Sequence, residues 1–222
     1  MGKAIGFDVY GTLANPHQID RHLTELIGEQ AASFAKLWRE KQLEYAFRKG
    51  LMNRYENFEI CTRQALSYCI TTFDASITQE QQEHLMKQYQ HLPAFADAAA
   101  GLEQLKSQGH RLVAFSNGLE KNVRKLLENA GLLQYLENVI SVDDVRQFKP
   151  HPQVYQHLAK RLNTPVQDTW LVSSNPWDVI GAKSAGLHAA WVQRNKRTVF
   201  DPWNVEPDLV AESIPDLALK LK

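Results

Sequence analysis

The sequence predicts an open, doubly wound α/β sheet of mainly parallel strands, interrupted early by a helical insert. Three observations carry that expectation. Apolar runs of strand length recur, each followed by a stretch with 3.6-residue apolar spacing. Polar residues cluster just past the ends of those runs. One block, residues 15–92, holds helical patterns and no good strand. Alternating strand and helix argue for a parallel sheet covered on both faces. The expected architecture is therefore a Rossmann-like core, residues 1–14 and 93–222, carrying a helical cap, residues 15–92.

The elements follow in order. "KAIGFDV" reads as the first strand. The cap reads as amphipathic helices over "EQAASFAKLWREKQLEYAFRKG", "RYENFEICTRQALSYCI" and "TQEQQEHLMKQYQ", with Pro16 and Pro93 near its ends. Beyond it, strands over "HRLVAFSNG", "ENVISVDD", "DTWLVSSN" and "LHAAWVQ" are separated or preceded by helices over "DAAAGLEQLKSQG", "LEKNVRKLLENAG", "HPQVYQHLAKRLN" and "NPWDVIGAKSAG". Three of those four helical stretches end in Gly, a common helix stop. "PDLVAESIPDLALKLK" reads as a last short strand and a closing helix.

Bulk properties exclude several classes. The chain has 222 residues, 44% of them apolar and 23% charged, with zero formal net charge. That balance offers no basic field for nucleic acid or an anionic membrane surface. No run approaches the ~20 apolar residues of a membrane helix, and the first residues lack an apolar secretory core. Gly6 stands where a myristoylation signal needs Ser or Thr. Cys61 and Cys69 fall in one helical segment, ~12 Å apart along its axis, too far for a disulfide. A cytoplasmic protein with two core-filling thiols is expected. The eight histidines show no metal-ligand spacing, and no Gly-x-Ser-x-Gly turn marks a serine hydrolase.

In doubly wound sheets, ligands bind beyond the carboxyl ends of the strands. Four of those ends carry polar residues that strand packing does not require: Asp8 with Thr12, Ser116-Asn117-Gly118, Lys149-Pro150, and Ser173-Ser174-Asn175 with Asp178. Any one loop could hold such residues as turn formers and N-caps. Converging on one edge, two carboxylates, a lysine and several hydroxyls make an active site the better account.

"FDVYGTL", "SNG", "FKP" and "SSNPWD" resemble the four motifs of the haloacid dehalogenase superfamily. "LWREKQLEYAFRKGLMNRYENF" resembles its hydrolytic L-2-haloacid dehalogenase branch more narrowly. The resemblance runs from Lys3 to the closing "DLA" and implies the haloacid dehalogenase fold. It implies Asp8 as nucleophile, with Thr12, Ser173, Asn175 and Asp178 holding or polarising it and Lys149 as the motif lysine. It implies Arg39 as receiver of the leaving halide with Asn117 beside it, and Ser116 as binder of the substrate carboxylate, helped by backbone N–H groups near Val9 and Tyr10. Leu43, Phe58 and Trp177 match an apolar wall, and Tyr155 a tyrosine one layer behind the site. Val9 and Pro176 depart from the commoner family residues. The implied reaction takes (S)-2-haloacids to (R)-2-hydroxyacids and halide through an aspartyl ester, with no metal or other cofactor, in a protein that forms homodimers.

Phosphatases of the superfamily are the main rival. There the second residue after the nucleophile is an acid that protonates the leaving alcohol and helps place Mg²⁺; here it is Tyr10. Halide is a good leaving group and needs no proton, whereas phosphoryl transfer needs the cation. A Mg²⁺-dependent phosphomonoesterase and a non-catalytic binder of small carboxylates stay open beside the dehalogenase. Arg39 and Leu43 are four residues apart and share a helix face, which suits an anion held at the edge of an apolar wall.

Overall fold

A computed structural model describes residues 2–16 and 19–221. His17 lies outside them. Among the described residues six strands form one sheet: β1 (Ala4–Phe7), β2 (Arg111–Ser116), β3 (Asn138–Ser141), β4 (Thr169–Ser173), β5 (His188–Val192) and β6 (Leu209–Ala211). Their order is β3-β2-β1-β4-β5-β6 and every pairing is parallel. The winding direction reverses between β1 and β4, where Phe7 pairs with Val172. That reversal opens a crevice at the carboxyl end of the sheet, and Asp8 is the next residue along.

The helices were largely legible, with boundaries set by caps. α1 (Ile19–Ile27), which the sequence reading did not single out, is followed by a single 3₁₀ turn at Gly28–Gln30 and then α2 (Ala31–Leu51). α3 (Phe58–Thr72) begins four residues later than "RYENF" suggested, because the Asn57 side chain accepts the Ile60 N–H and caps the helix there. α4 (Gln79–Gln88) starts at a capping box formed by Thr78 and Gln81. Leu23, Phe34, Trp38, Leu66, Cys69 and Leu85 bury one another between these helices. Cys61 and Cys69 are free and buried, and burial pushes their thiols up to about 11 and about 12.

The remaining helices are α5 (Ala98–Ser107), α6 (Glu120–Asn129), α7 (Pro152–Arg161), α8 (Pro176–Ser184) and α9 (Ile214–Lys220). The strand period of two divides the core. Ile5, Phe7, Leu112, Ala114 and Val172 pack against α5, α6 and α9. Val113, Phe115, Ile140 and Leu171 pack against α7 and α8. At Gly6 a Cβ would lie 2.7 Å from Leu158 of α7, so glycine lets that helix sit directly on β1. The chain leaves the sheet and returns side by side, with Asn15 N–H donating to Pro93 O at 2.8 Å and Phe95 N–H to Leu13 O at 2.9 Å. Among the described residues no helix is long and apolar enough to cross a membrane.

Candidate active site

β1 delivers Asp8 to the crevice, and the chain must then turn sharply. The Val9 carbonyl accepts the N–H groups of Thr12, Leu13 and Ala14, a turn that Gly11 permits with a φ of 90°. The turn brings Thr12 back beside Asp8, where its hydroxyl donates to Oδ2 at 2.8 Å. Asn175 Nδ2 donates to the same oxygen at 2.9 Å. Ser174 N–H donates to Thr12 Oγ1 at 2.9 Å, which fixes the threonine from the loop after β4. Val9 and Tyr10 N–H groups have no protein acceptor among the described residues.

Lys149, only 1% exposed, donates to three acceptors: Asp8 Oδ1 at 3.1 Å, Asp178 Oδ2 at 2.9 Å and Phe115 O at 2.9 Å. Burial alone would lower its pKa, but the charges of Asp178 and Asp8 and hydrogen bonds to both leave it raised. Asp178 is fully buried, and that burial pushes its carboxyl up against the opposing pull of Lys149. Its Oδ1 accepts the Tyr155 hydroxyl at 2.8 Å. A Cβ at Gly181 would lie 2.5 Å from that hydroxyl, so α7 and α8 approach closely enough for this bond only with glycine there.

The opposite wall of the crevice comes from the insert. Asp8, Tyr10, Ser116, Asn117 and Trp177 from the sheet edge face Arg39, Leu43 and Phe58 across a small, tightly closed cavity of about 10 Å³. Arg39 is half-buried and forms no ion pair with any carboxylate among the described residues. Its Nη1 donates to Gln42 Oε1 at 2.6 Å, and its other N–H groups have no protein acceptor there. Burial lowers its pKa, with Tyr89, Asp8 and Tyr10 pulling the other way. A cation so placed favours an anionic ligand, because the charge has been taken from water without a counter-ion. Ser116 Oγ accepts the Gly118 N–H at 3.1 Å, which leaves its own proton for a ligand. Burial raises the Tyr10 hydroxyl to about 12, so it stays neutral and donates.

A family model for haloacid dehalogenase-like hydrolases matches residues 3–186. The chain belongs to the haloacid dehalogenase-like hydrolases. It is 34% identical to (S)-2-haloacid dehalogenase of Pseudomonas putida over 97% of this chain and 95% of that one. It is also 34% identical to haloacetate dehalogenase H-2 of Moraxella sp. (strain B), over 93% and 92%. A solved structure of L-2-haloacid dehalogenase from Xanthobacter autotrophicus with chloropropionic acid covalently bound superposes with a TM-score of 0.91 and 30% identity, covering 100% of this chain and 98% of that one.

In this haloacid dehalogenase-like hydrolase, eight of the expected residues line the cavity together, and Thr12, Lys149, Asn175 and Asp178 stand directly behind them. Three expected residues stand further back. Val9 points its side chain into the core, and only its backbone faces Asp8. Ser173 Oγ accepts the Asn175 N–H at 3.1 Å and so meets Asp8 only through that asparagine. Tyr155 is fully buried and reaches Asp178 rather than the cavity. Three residues escaped the sequence reading. Gln42, fully buried, links Arg39 to Thr62, and Tyr89 borders Tyr10. Arg194 donates to Thr12 O at 2.6 Å and to Asp97 at 2.5 Å, clamping the turn that carries Thr12. A polar residue, such as Gln42 on α2 or Arg194 after β5, reads as solvated unless its burial is known, and no local pattern reveals that.

Proposed function

We propose that this chain is an (S)-2-haloacid dehalogenase that converts short 2-haloalkanoic acids to (R)-2-hydroxyacids without a cofactor. One observation carries the reading: Asp8, paired with Lys149, faces Arg39, which has no acid partner among the described residues, across one small cavity. A nucleophile for carbon and a receiver for a departing anion are the two parts such a displacement needs.

Asp8 attacks C2 on the side away from the halogen, forming a C–O bond as the C–X pair leaves with halide and C2 inverts. Ser116 and the N–H groups of Val9 and Tyr10 hold the substrate carboxylate. Arg39 and Asn117 take the halide, and Leu43, Phe58 and Trp177 keep water from C2. Water then adds to the Asp8 carboxyl carbon, oriented by Asp178, which Tyr155 and Lys149 hold in place. Asp178 accepts a proton of that water and the departing hydroxyacid oxygen takes one back. Each turnover consumes one water and releases one halide and one proton. Thr12, Asn175 and, through Asn175, Ser173 keep Asp8 aimed.

The lysine also bears on the phosphatase alternative. Its ammonium stands 3.1 Å from Asp8 and 2.9 Å from Asp178, so a divalent cation bridging those carboxylates would meet a like charge. Tyr10, neutral up to about 12, is a far weaker proton donor to a leaving alkoxide than the carboxylic acid those phosphatases carry, and its neutral hydroxyl offers Mg²⁺ no charged ligand. Residues 15–92 act in this proposal as a cap over a core of residues 1–14 and 93–222. The exposed Met52 and Tyr68 of this segment are apolar surface that a homodimer could cover. The test is halide release from L-2-chloropropionate in excess EDTA, with (R)-lactate as product and Asp8→Asn silent. Absence of release, or an absolute requirement for Mg²⁺, overturns it.

A further inference from the structure

We propose that the apolar groove behind Trp177 binds the alkyl chain of longer 2-haloacids, with the Trp177 indole as the door between groove and catalytic cavity. The proposal rests on the haloacid reading above and extends its substrate class. The groove offers about 540 Å³ and is lined by Phe47, Leu51, Phe148, Ile180, Trp203 and Val205, with Trp177 shared between it and the catalytic cavity.

Two observations connect the spaces. Arg39, Leu43, Phe47 and Leu51 follow one another at four-residue spacing on α2 and so form one stripe. Arg39 and Leu43 line the catalytic cavity, while Phe47 and Leu51 line the groove. The second observation concerns the tryptophan. Trp38 and Trp191 are pinned by N–H bonds to Thr62 O and Ser174 O, both near 3 Å. The Trp177 N–H has no protein acceptor among the described residues, and its ring meets Phe47 edge-on at 5.2 Å. Turning the indole therefore breaks no hydrogen bond, and the neighbouring Asp178 is held independently by Lys149 and Tyr155.

The groove chemistry suits hydrocarbon. Lys149 borders it, but the residue is only 1% exposed and its ammonium is committed to Asp8, Asp178 and Phe115 O, so it puts no free charge into the groove. Each methylene moved from water into such a groove favours binding by roughly fourfold. The carboxylate and halogen remain in the catalytic cavity while the chain beyond C3 runs past Trp177.

The experiment compares kcat/KM for 2-bromopropionate and 2-bromooctanoate. The unaltered chain should turn over both. Ser184→Trp, an exposed position on the last turn of α8 at the groove rim, should lower kcat/KM for bromooctanoate at least tenfold and leave bromopropionate within twofold. Trp177→Ala should raise the bromooctanoate to bromopropionate ratio at least tenfold. Equal effects on both substrates, an unchanged ratio in Trp177→Ala, or no turnover of bromooctanoate by the unaltered chain overturns the proposal. A change of oligomeric state in Ser184→Trp also overturns it, by making the groove a contact between copies. Loss of the haloacid reading itself would show as no halide from bromopropionate. Octanoate binding by calorimetry then decides the groove alone, with tenfold weakening by Ser184→Trp expected and no difference overturning it.

Discussion

Gln42 supplies the only protein acceptor that Arg39 has among the described residues, and it is itself anchored, donating to Thr62 Oγ1 at 2.5 Å while Thr62 donates to Phe58 O at 2.8 Å. The chain of bonds fixes the plane of the guanidinium. Gln42→Leu should lower kcat/KM about 10- to 100-fold, the scale of a lost hydrogen bond to a charged group. Chloride is a poorer leaving group than bromide, so the loss should be larger for the chloro substrate if Arg39 stabilises departing halide. An equal loss for both would make Gln42 merely structural. Lys149 poses the opposite problem, a cation whose removal strands buried carboxylates. Lys149→Met should abolish turnover and cost about 3–5 kcal/mol of stability near neutral pH. The sign with pH follows from linkage. Without Lys149 the buried Asp178 carboxyl rises further above its unfolded value, so the folded state binds the extra proton and gains stability as pH falls. The deficit against the unaltered chain should narrow on acidification in urea unfolding, and a deficit constant from pH 5 to 8 would refute this.

At the scale of elements, the contact between α7 and α8 sets the hydrogen bond between Tyr155 and Asp178. Tyr155 on α7 reaches Asp178 on α8 because Gly181 has no side chain to block it. Gly181→Ala should cost about 1–3 kcal/mol, as an overpacked contact. It should also lower kcat by displacing the hydroxyl. Tyr155→Phe removes a hydrogen bond that lowers the Asp178 pKa, so the acid limb of the kcat profile should move to higher pH. Combining the two should relieve only part of the strain, since the new Cβ would still lie 2.6 Å from Pro150. Strictly additive stability losses would argue against the close approach. These elements also show why the sequence was readable where it was. The motif residues lie on the carboxyl side of the strands, Asp8 directly after β1, Lys149 in the connection from β3 to α7 and Asp178 in the first turn of α8 after β4, so the alternation of strand and helix points them to one sheet edge. Gln42 and Arg194 gave no such signal, because what singles them out is burial against Arg39 and the Thr12 carbonyl. Those contacts span parts of the chain that no periodicity connects. The α3 boundary was misjudged because Asn57 caps the helix from within a polar stretch that looked continuous with it.

Over the whole molecule, the cavity exists only while the helical insert lies against the sheet edge, and two polar latches hold it there. On one rim the Tyr55 hydroxyl donates to Asp143 Oδ1 at 2.7 Å and its ring packs on Phe148 at 4.8 Å. On the other rim Asn122 Nδ2 donates to Glu59 Oε2 at 3.0 Å. The hydrogen bonds add to an apolar contact, since Ala46, Phe58 and Cys61 of the insert share a buried cluster with Val113 and Phe115 of the sheet, against which the Tyr55 ring packs. Tyr55→Phe keeps the ring packing and removes only the hydrogen bond, and Asn122→Ala removes the other. Each should lower kcat/KM for 2-chloropropionate roughly 2- to 10-fold, the range of a net hydrogen bond of about 0.5–1.5 kcal/mol. Because the latches share no partner, the double variant should show the product of the two losses. Thermal unfolding should move little, as both substitutions leave the apolar clusters intact. A fall in melting temperature without a kinetic effect would mean that these contacts stabilise the fold and do not govern closure.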